Sequence, residues 1–158
     1  RVESVAGMDV CPQEQVADYA ALQDKAANQR VSDLTHTLLA EVATFLVPGM
    51  TESAMARRIA DHFEQCDRVA YWHKPYVRFG RHTTLNFYDV VKNEDLVLGD
   101  MDIAYLDIGP VIDGIEGDAG QTYVIGENAD YQNIQACCEG LYQTGLDFWR
   151  QHNPTGNA

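Results

Sequence analysis

The pair Asp113-Gly114, set between two apolar runs, constrains this chain more than any other feature. A two-residue hairpin loop of type I′ needs positive φ at both central positions, and Asp-Gly is among the pairs that supply it. The flanking segments, residues 101–112 and 115–126, therefore read as antiparallel strands. With Asp113 and Gly114 as the turn, Ile112 faces Ile115, Gly109 faces Asp118 and Asp107 faces Gly120. Facing residues point to the same side of a sheet, so Asp107 and Asp118 become diagonal neighbours on one face. Such pairs sit about 7–8 Å apart at the backbone, with side-chain tips able to converge.

Asp is poorly suited to a strand and costly to bury. Something must offset that cost at Asp107, which follows Ile103 and Tyr105 on the same strand face. Each Asp can accept hydrogen bonds from loop backbone. Two carboxylates converging on a covered face, however, repel unless a cation or a proton lies between them. Oxygen ligands of this kind suit divalent metals, and the same-face pair beside small glycines favours that reading. Glu116 and Thr122 share the face in this register and are candidates to support the ligands. Solvent exposure is an equal alternative for Glu116.

Upstream, residues 13–46 carry a helical pattern with a break near Asn28. Val31, Leu34, Leu38, Val42 and Phe45 form one apolar stripe at three- and four-residue steps. Pro48 and Gly49 stop that helix. Thr51 is a plausible N-cap for a second, with Glu52 in its first turn and Met55, Ile59 and Phe63 on one face. Residues 71–88 are aromatic-rich and read as strand and loop. A last helix spans residues 130–150, with Ile134, Cys137, Leu141 and Phe148 marking a buried side. Residues 1–12 read as a tail, and 13–158 as part of a single domain. The order predicts an α+β fold with helices on one face of a mostly antiparallel sheet.

Composition narrows the function classes. The net charge of -13 repels phosphate backbones, which argues against a nucleic-acid partner. No apolar run approaches the roughly 20 residues a membrane helix needs, which argues against a membrane partner. Residues 1–10 show no signal-peptide pattern. The 4 cysteines lack zinc-ligand spacing. Cys137 and Cys138 read as small buried apolar residues in a reducing, cytoplasmic protein. A calcium loop of the D-x-D-x-D-G type is absent from the sequence.

The hairpin resembles the methionine aminopeptidase, prolidase and creatinase family of metallopeptidases, known for the pita-bread fold. The likeness runs from Asp107 and Gly109 through Gly114, Asp118 and Thr122 to Gly126. Gly99-Asp100 before the strand and Pro48-Gly49-Met50-Thr51-Glu52 between the first helices add to it. It spans residues 13–150 and implies the first half of that fold. It further implies a site for two divalent ions (Mn, Co, Zn or Fe). Asp107 would bind one through both oxygens, and Asp118 would bridge the two. A later His and two later Glu would complete the set, and a bridging water would attack a peptide carbonyl of a small peptide substrate.

The sequence departs from the family pattern in two ways. The later ligands are not found by Ala158, so an incomplete site and a fragment of a longer chain are expected. Such a fragment would form a homodimer or associate with the missing C-terminal half. The family's proton-handling His is also displaced: its place falls near Asn86 or Phe87, and His82 lies about four residues early as a candidate for a related catalytic role. Trp72, His73 and Arg78 occupy a stretch that lines the substrate pocket in such folds. Two functions follow: a metallo-aminopeptidase or dipeptidase with proline near the scissile bond, or a pita-bread pseudoenzyme that binds proteins or peptides.

Overall fold

The computed structural model describes residues 24–66, 69–86, 89 and 94–152. The expected tail and the first part of the first helix lie outside these residues. Helix α1, Lys25–Ala43, starts where Asp24 accepts the amides of Ala26 and Ala27 at 2.9 and 3.0 Å. That satisfies two of the orphan donors of a helix start. Its stripe of Ala27, Val31, Leu38, Leu39 and Val42 is buried, whereas Leu34, expected in the stripe, is exposed.

Helix α2, Glu52–Gln65, begins at Thr51 as the sequence predicts, with Thr51 Oγ1 accepting from the Ala54 amide. Asp95 adds a second cap from a distant loop, taking the Ser53 amide and hydroxyl at 2.9 and 2.6 Å. Leu96 and Leu98 bond the backbone of residues 49–52, so this loop is stitched to the start of α2.

Strand β1, Val69–Phe79, leads through a 3-10 turn at Gly80–Thr84 towards the central strand β2, Asp102–Ile112. Then follow β3, Ile115–Glu116, β4, Ala119–Ile125, and α3, Ala129–His152. β2 pairs antiparallel with β1 on one side and with β3 and β4 on the other. Ile112 faces Ile115 and Asp107 faces Gly120, the register read from the sequence. Asp113 and Gly114 have φ of 52° and 79°, as a type I′ turn requires.

The two faces of β2 differ. Ala104, Leu106 and Ile108 are fully buried and join Val77, Phe79, Met55, Ile59 and Phe63 in the core under α1 and α2. Tyr105 and Asp107 point to the other face and are half-buried. Burying the first set removes apolar surface from water at roughly 25 cal/mol per Å². That face holds the fold together, and the other is free to carry chemistry.

Where β3 passes into β4, the ladder has a gap with a chemical cause. The Gly117 amide donates to the Pro110 carbonyl at 2.7 Å. Pro110 has no N–H to return the bond. The Trp72 indole donates to the Gly117 carbonyl instead, at 2.9 Å, from strand β1. Gly117 also lies against α1, where a Cβ would collide with Thr35 Oγ1. That hydroxyl is itself held at 2.7 Å on the Val31 carbonyl.

α3 corrects two expectations. No residue of α3 is buried, and Ile134, Leu141 and Phe148 are exposed. Cys137 and Cys138 are exposed free thiols rather than core residues. The helix is tied to β4 by Gln135 Nε2 on the Thr122 carbonyl at 2.9 Å. Periodicity marks an apolar side of a helix, but it does not say whether anything covers that side.

Two glycines allow the packing to be tested. Gly114 has open space around it, so Gly114→Ala should cost only the positive-φ strain, about 1 kcal/mol. Gly117→Ala must also displace Thr35 and should cost more, about 1–3 kcal/mol. Urea denaturation of both variants measures the order. A reversed order would overturn the account of how α1 seats on the hairpin.

Candidate metal centre

Asp107 sits on the central strand, opposite Gly120 and Tyr76. Continuing the register brings Asp118 beside Gly109, two residues on along β2. One oxygen from each carboxylate and a ring nitrogen of His73 lie within 4.8 Å of one another. His73 Nε2 is 3.8 Å from Asp107 Oδ1 and 3.9 Å from Asp118 Oδ1. The geometry read from the hairpin is therefore present, and an imidazole joins it from β1.

Asp107 Oδ1 is buried without a hydrogen-bond partner. Its other oxygen has Tyr105 Oη at 3.4 Å, a long contact. Burial pushes the Asp107 carboxyl above the ordinary range, with His73 opposing and Asp118 adding to the rise. The Tyr105 phenol is pushed up to about 12, first by burial and then by the Asp107 charge. A carboxylate oxygen that is buried, unpaired and aimed at a second carboxylate suits a hard cation. The residues present therefore fit a divalent ion.

A pocket of about 270 Å³ opens beside Asp107, lined by Tyr76, Arg78, Thr83, Leu85 and Tyr105. Arg78 lies over the Tyr76 ring at 4.2 Å, and its Nε is buried without an acceptor. No carboxylate among the described residues pairs with it. Of the three expected pocket residues, the structure thus brings Arg78 to the pocket and His73 to the carboxylates. Trp72 is partly exposed and pins the Gly117 carbonyl beside Asp118. Glu116 is exposed, and Thr122 bonds α3 through its carbonyl. Neither side chain bonds Asp107 or Asp118 among the described residues.

His82 lies in a separate cluster. It is 3% exposed, with Nδ1 at 2.8 Å from Glu52 Oε2 and Nε2 at 3.0 Å from Glu94 Oε2. Glu52 Oε1 also accepts the Phe79 amide at 2.7 Å. Glu94 pairs with Arg81, and the His82 hydrogen bond holds its carboxyl below the ordinary range. Both ring nitrogens of His82 are thus engaged, joining α2, the end of β1 and the loop before β2. Sequence reading placed Glu52 in a first helical turn and missed this role. Its partners lie 27 and 30 residues away, and no local pattern marks them.

Removing the buried Glu52 carboxylate orphans the Phe79 amide and His82 together. Glu52→Ala should cost about 2–4 kcal/mol in urea denaturation, and Glu52→Gln distinctly less. The opposite holds at Asp107. An acid whose folded pKa is raised makes the folded state lose stability as pH climbs from the unfolded value through the folded one. Asp107→Asn should therefore raise the melting temperature of the metal-free protein at pH 7. A lower melting temperature would mean that the carboxylate is satisfied without a cation.

Residues 26–156 match the model of metallopeptidase family M24. Among solved structures, the dipeptidase PepE from Mycobacterium ulcerans is 27% identical with a TM-score of 0.54, over 75% of this chain and 30% of that one. Methionine aminopeptidase from Thermotoga maritima is 24% identical with a TM-score of 0.49, over 63% of this chain and 42% of that one. The chain thus spans less than half the length of either. No curated protein sequence matches it.

Proposed function

Because the chain belongs to metallopeptidase family M24, we propose that its protein is a metal-dependent hydrolase of the aminopeptidase or Xaa-Pro dipeptidase type, acting on small peptides. The observation that carries this reading is the buried, unpaired Asp107 Oδ1 facing Asp118. A binding scaffold gains nothing from burying an unpaired Asp107 carboxylate beside the exposed Asp118, since that burial is costly.

Asp107 and Asp118 would hold two divalent ions, drawn from Mn, Co, Zn or Fe. When bound, such ions supply Lewis acidity towards a peptide carbonyl and towards water. The further His and two Glu that the family resemblance implies would come from the part of the fold this chain does not span. Thr122 would steady the β4 end of the site through its place opposite Tyr105.

The chain's own residues also supply a pocket. Arg78 lines the space beside Asp107, which suits a peptide of one or two residues, and among the described residues no carboxylate pairs with its guanidinium. Its planar fork matches a carboxylate. Arg78 would hold the C-terminal carboxylate of a dipeptide and leave the scissile bond near Asp107. The likeness to a dipeptidase at 27% identity supports a short substrate.

The competing reading is a pita-bread module that binds peptides without cleaving them. The observation that favours it is Asn86, which stands near the place where the family resemblance puts a histidine.

The intact protein, stripped of metal and reloaded with Mn²⁺ or Co²⁺, should hydrolyse Xaa-Pro or Met-containing dipeptides. Asp118→Asn should lower kcat/KM at least about a thousandfold, a loss of about 4 kcal/mol of transition-state stabilisation. Arg78→Met should raise KM for dipeptides about tenfold and leave amidated substrates unchanged. Binding of dipeptides with no hydrolysis by the reloaded protein would replace the enzyme reading with the binding module.

A further inference from the structure

The acidic pair has a third member whose placement takes two departures from regular strand geometry. In a regular strand, residues 71 and 73 share a face. Tyr71 packs against the core side, so an undistorted β1 would put His73 there too. The pairing of β1 with β2 instead slips between Tyr71 and His73, and again between His73 and Tyr76. The first slip turns His73 to the face of Asp107. The second returns Tyr76 to that face beside it. Irregularities that re-aim one side chain are common next to active sites.

Gly109, directly opposite His73, completes the placement. A Cβ there would collide with the His73 ring and with Trp72 Nε1. The missing side chain is the space through which the imidazole reaches Asp118. The Trp72 ring stands edge-on to it, with centroids 4.3 Å apart.

The tautomer is also fixed. His73 Nδ1 is 2.8 Å from the Lys74 carbonyl. A carbonyl can only accept, so Nδ1 carries the hydrogen, and it is Nε2 that can give up its proton to a metal and offer a lone pair. An imidazole held by a backbone carbonyl on its far nitrogen is the usual arrangement of a metal-bound histidine. Facing two anions, Nε2 is satisfied by a proton or by a cation between them, and a metal ion meets all three ligand atoms at once.

We infer that His73 Nε2 is a nitrogen ligand to a divalent transition-metal ion held with Asp107 and Asp118, an inference that rests on the metal reading of that acidic pair. Metal–nitrogen and metal–oxygen bonds of about 2.0–2.2 Å let two ligand atoms lie up to about 4.2 Å apart across one ion. The separations of 3.8 and 3.9 Å fall inside that limit. An imidazole in the set turns preference from Mg²⁺ and Ca²⁺ towards Zn²⁺, Fe²⁺ and Co²⁺.

The test uses the intact, metal-free protein with Co²⁺ for calorimetry and Cu²⁺ for pulsed electron paramagnetic resonance. His73→Gln should weaken Co²⁺ binding at least about tenfold and remove one imidazole's nitrogen modulation from the Cu²⁺ signal. Near-ultraviolet circular dichroism checks that the variant keeps its packing. Should it fail that check, His73→Asn carries the comparison. Asp118→Asn separates the two layers of the argument. If it weakens Co²⁺ binding while His73→Gln changes neither affinity nor modulation, His73 is no ligand and the acidic pair stands. If neither substitution changes affinity, the metal reading of the pair falls as well.

Discussion

A carboxylate on the central strand of a sheet sets the terms for everything near it. Asp107 has neighbours on both sides, β1 and β4, so it cannot escape to an edge and reach water freely. Its burial cost is fixed by topology. The fold meets this by dividing the sheet. Apolar side chains of Ala104, Leu106 and Ile108 secure one face under the helices, and the polar set gathers on the other. The stability of the first face makes the second possible, because local strain persists only where surrounding structure holds it.

The parts that position the acidic pair are mostly small or lack a donor. Gly109 admits the His73 ring, and Gly117 lets α1 approach the hairpin. Pro110 withholds an amide hydrogen that Trp72 replaces. One consequence is that Trp72, which looks like a pocket aromatic in the sequence, is tied into the backbone beside Asp118. A bulky ring thereby links β1 to the hairpin across β2, and the sites of His73 and Asp118 share one support.

Much of this was legible before any coordinates. Asp113-Gly114 specified its turn, because few residue pairs tolerate two positive φ values, and the turn specified the register. From the register came the shared face of Asp107 and Asp118. Thr51 as N-cap followed from equally local chemistry. What failed to show were consequences of contacts distant in sequence. The burial of Glu52 depends on Phe79 and His82. The turn of His73 into the site depends on slips that no period-two pattern predicts. The side of α3 expected to be buried is exposed, since burial belongs to a pair of surfaces and the sequence describes one.

The two histidines of this region illustrate why proximity in sequence misleads. His82 lies nearer the place where the family resemblance expects an imidazole, yet both of its nitrogens are spent on Glu52 and Glu94. A ring so engaged stabilises the junction of α2, β1 and the loop before β2, and it has no free nitrogen for a ligand or a substrate. His73 lies farther away, on a strand that must slip twice to present it, and keeps one nitrogen open towards two carboxylates. That arrangement interrupts a ladder and draws two carboxylates together around one ring nitrogen. A cation in the gap would turn the crowding of those side chains into favourable contacts. The distortion of β1 is therefore most simply understood as the shape the strand takes when it serves the site on one face and the core on the other.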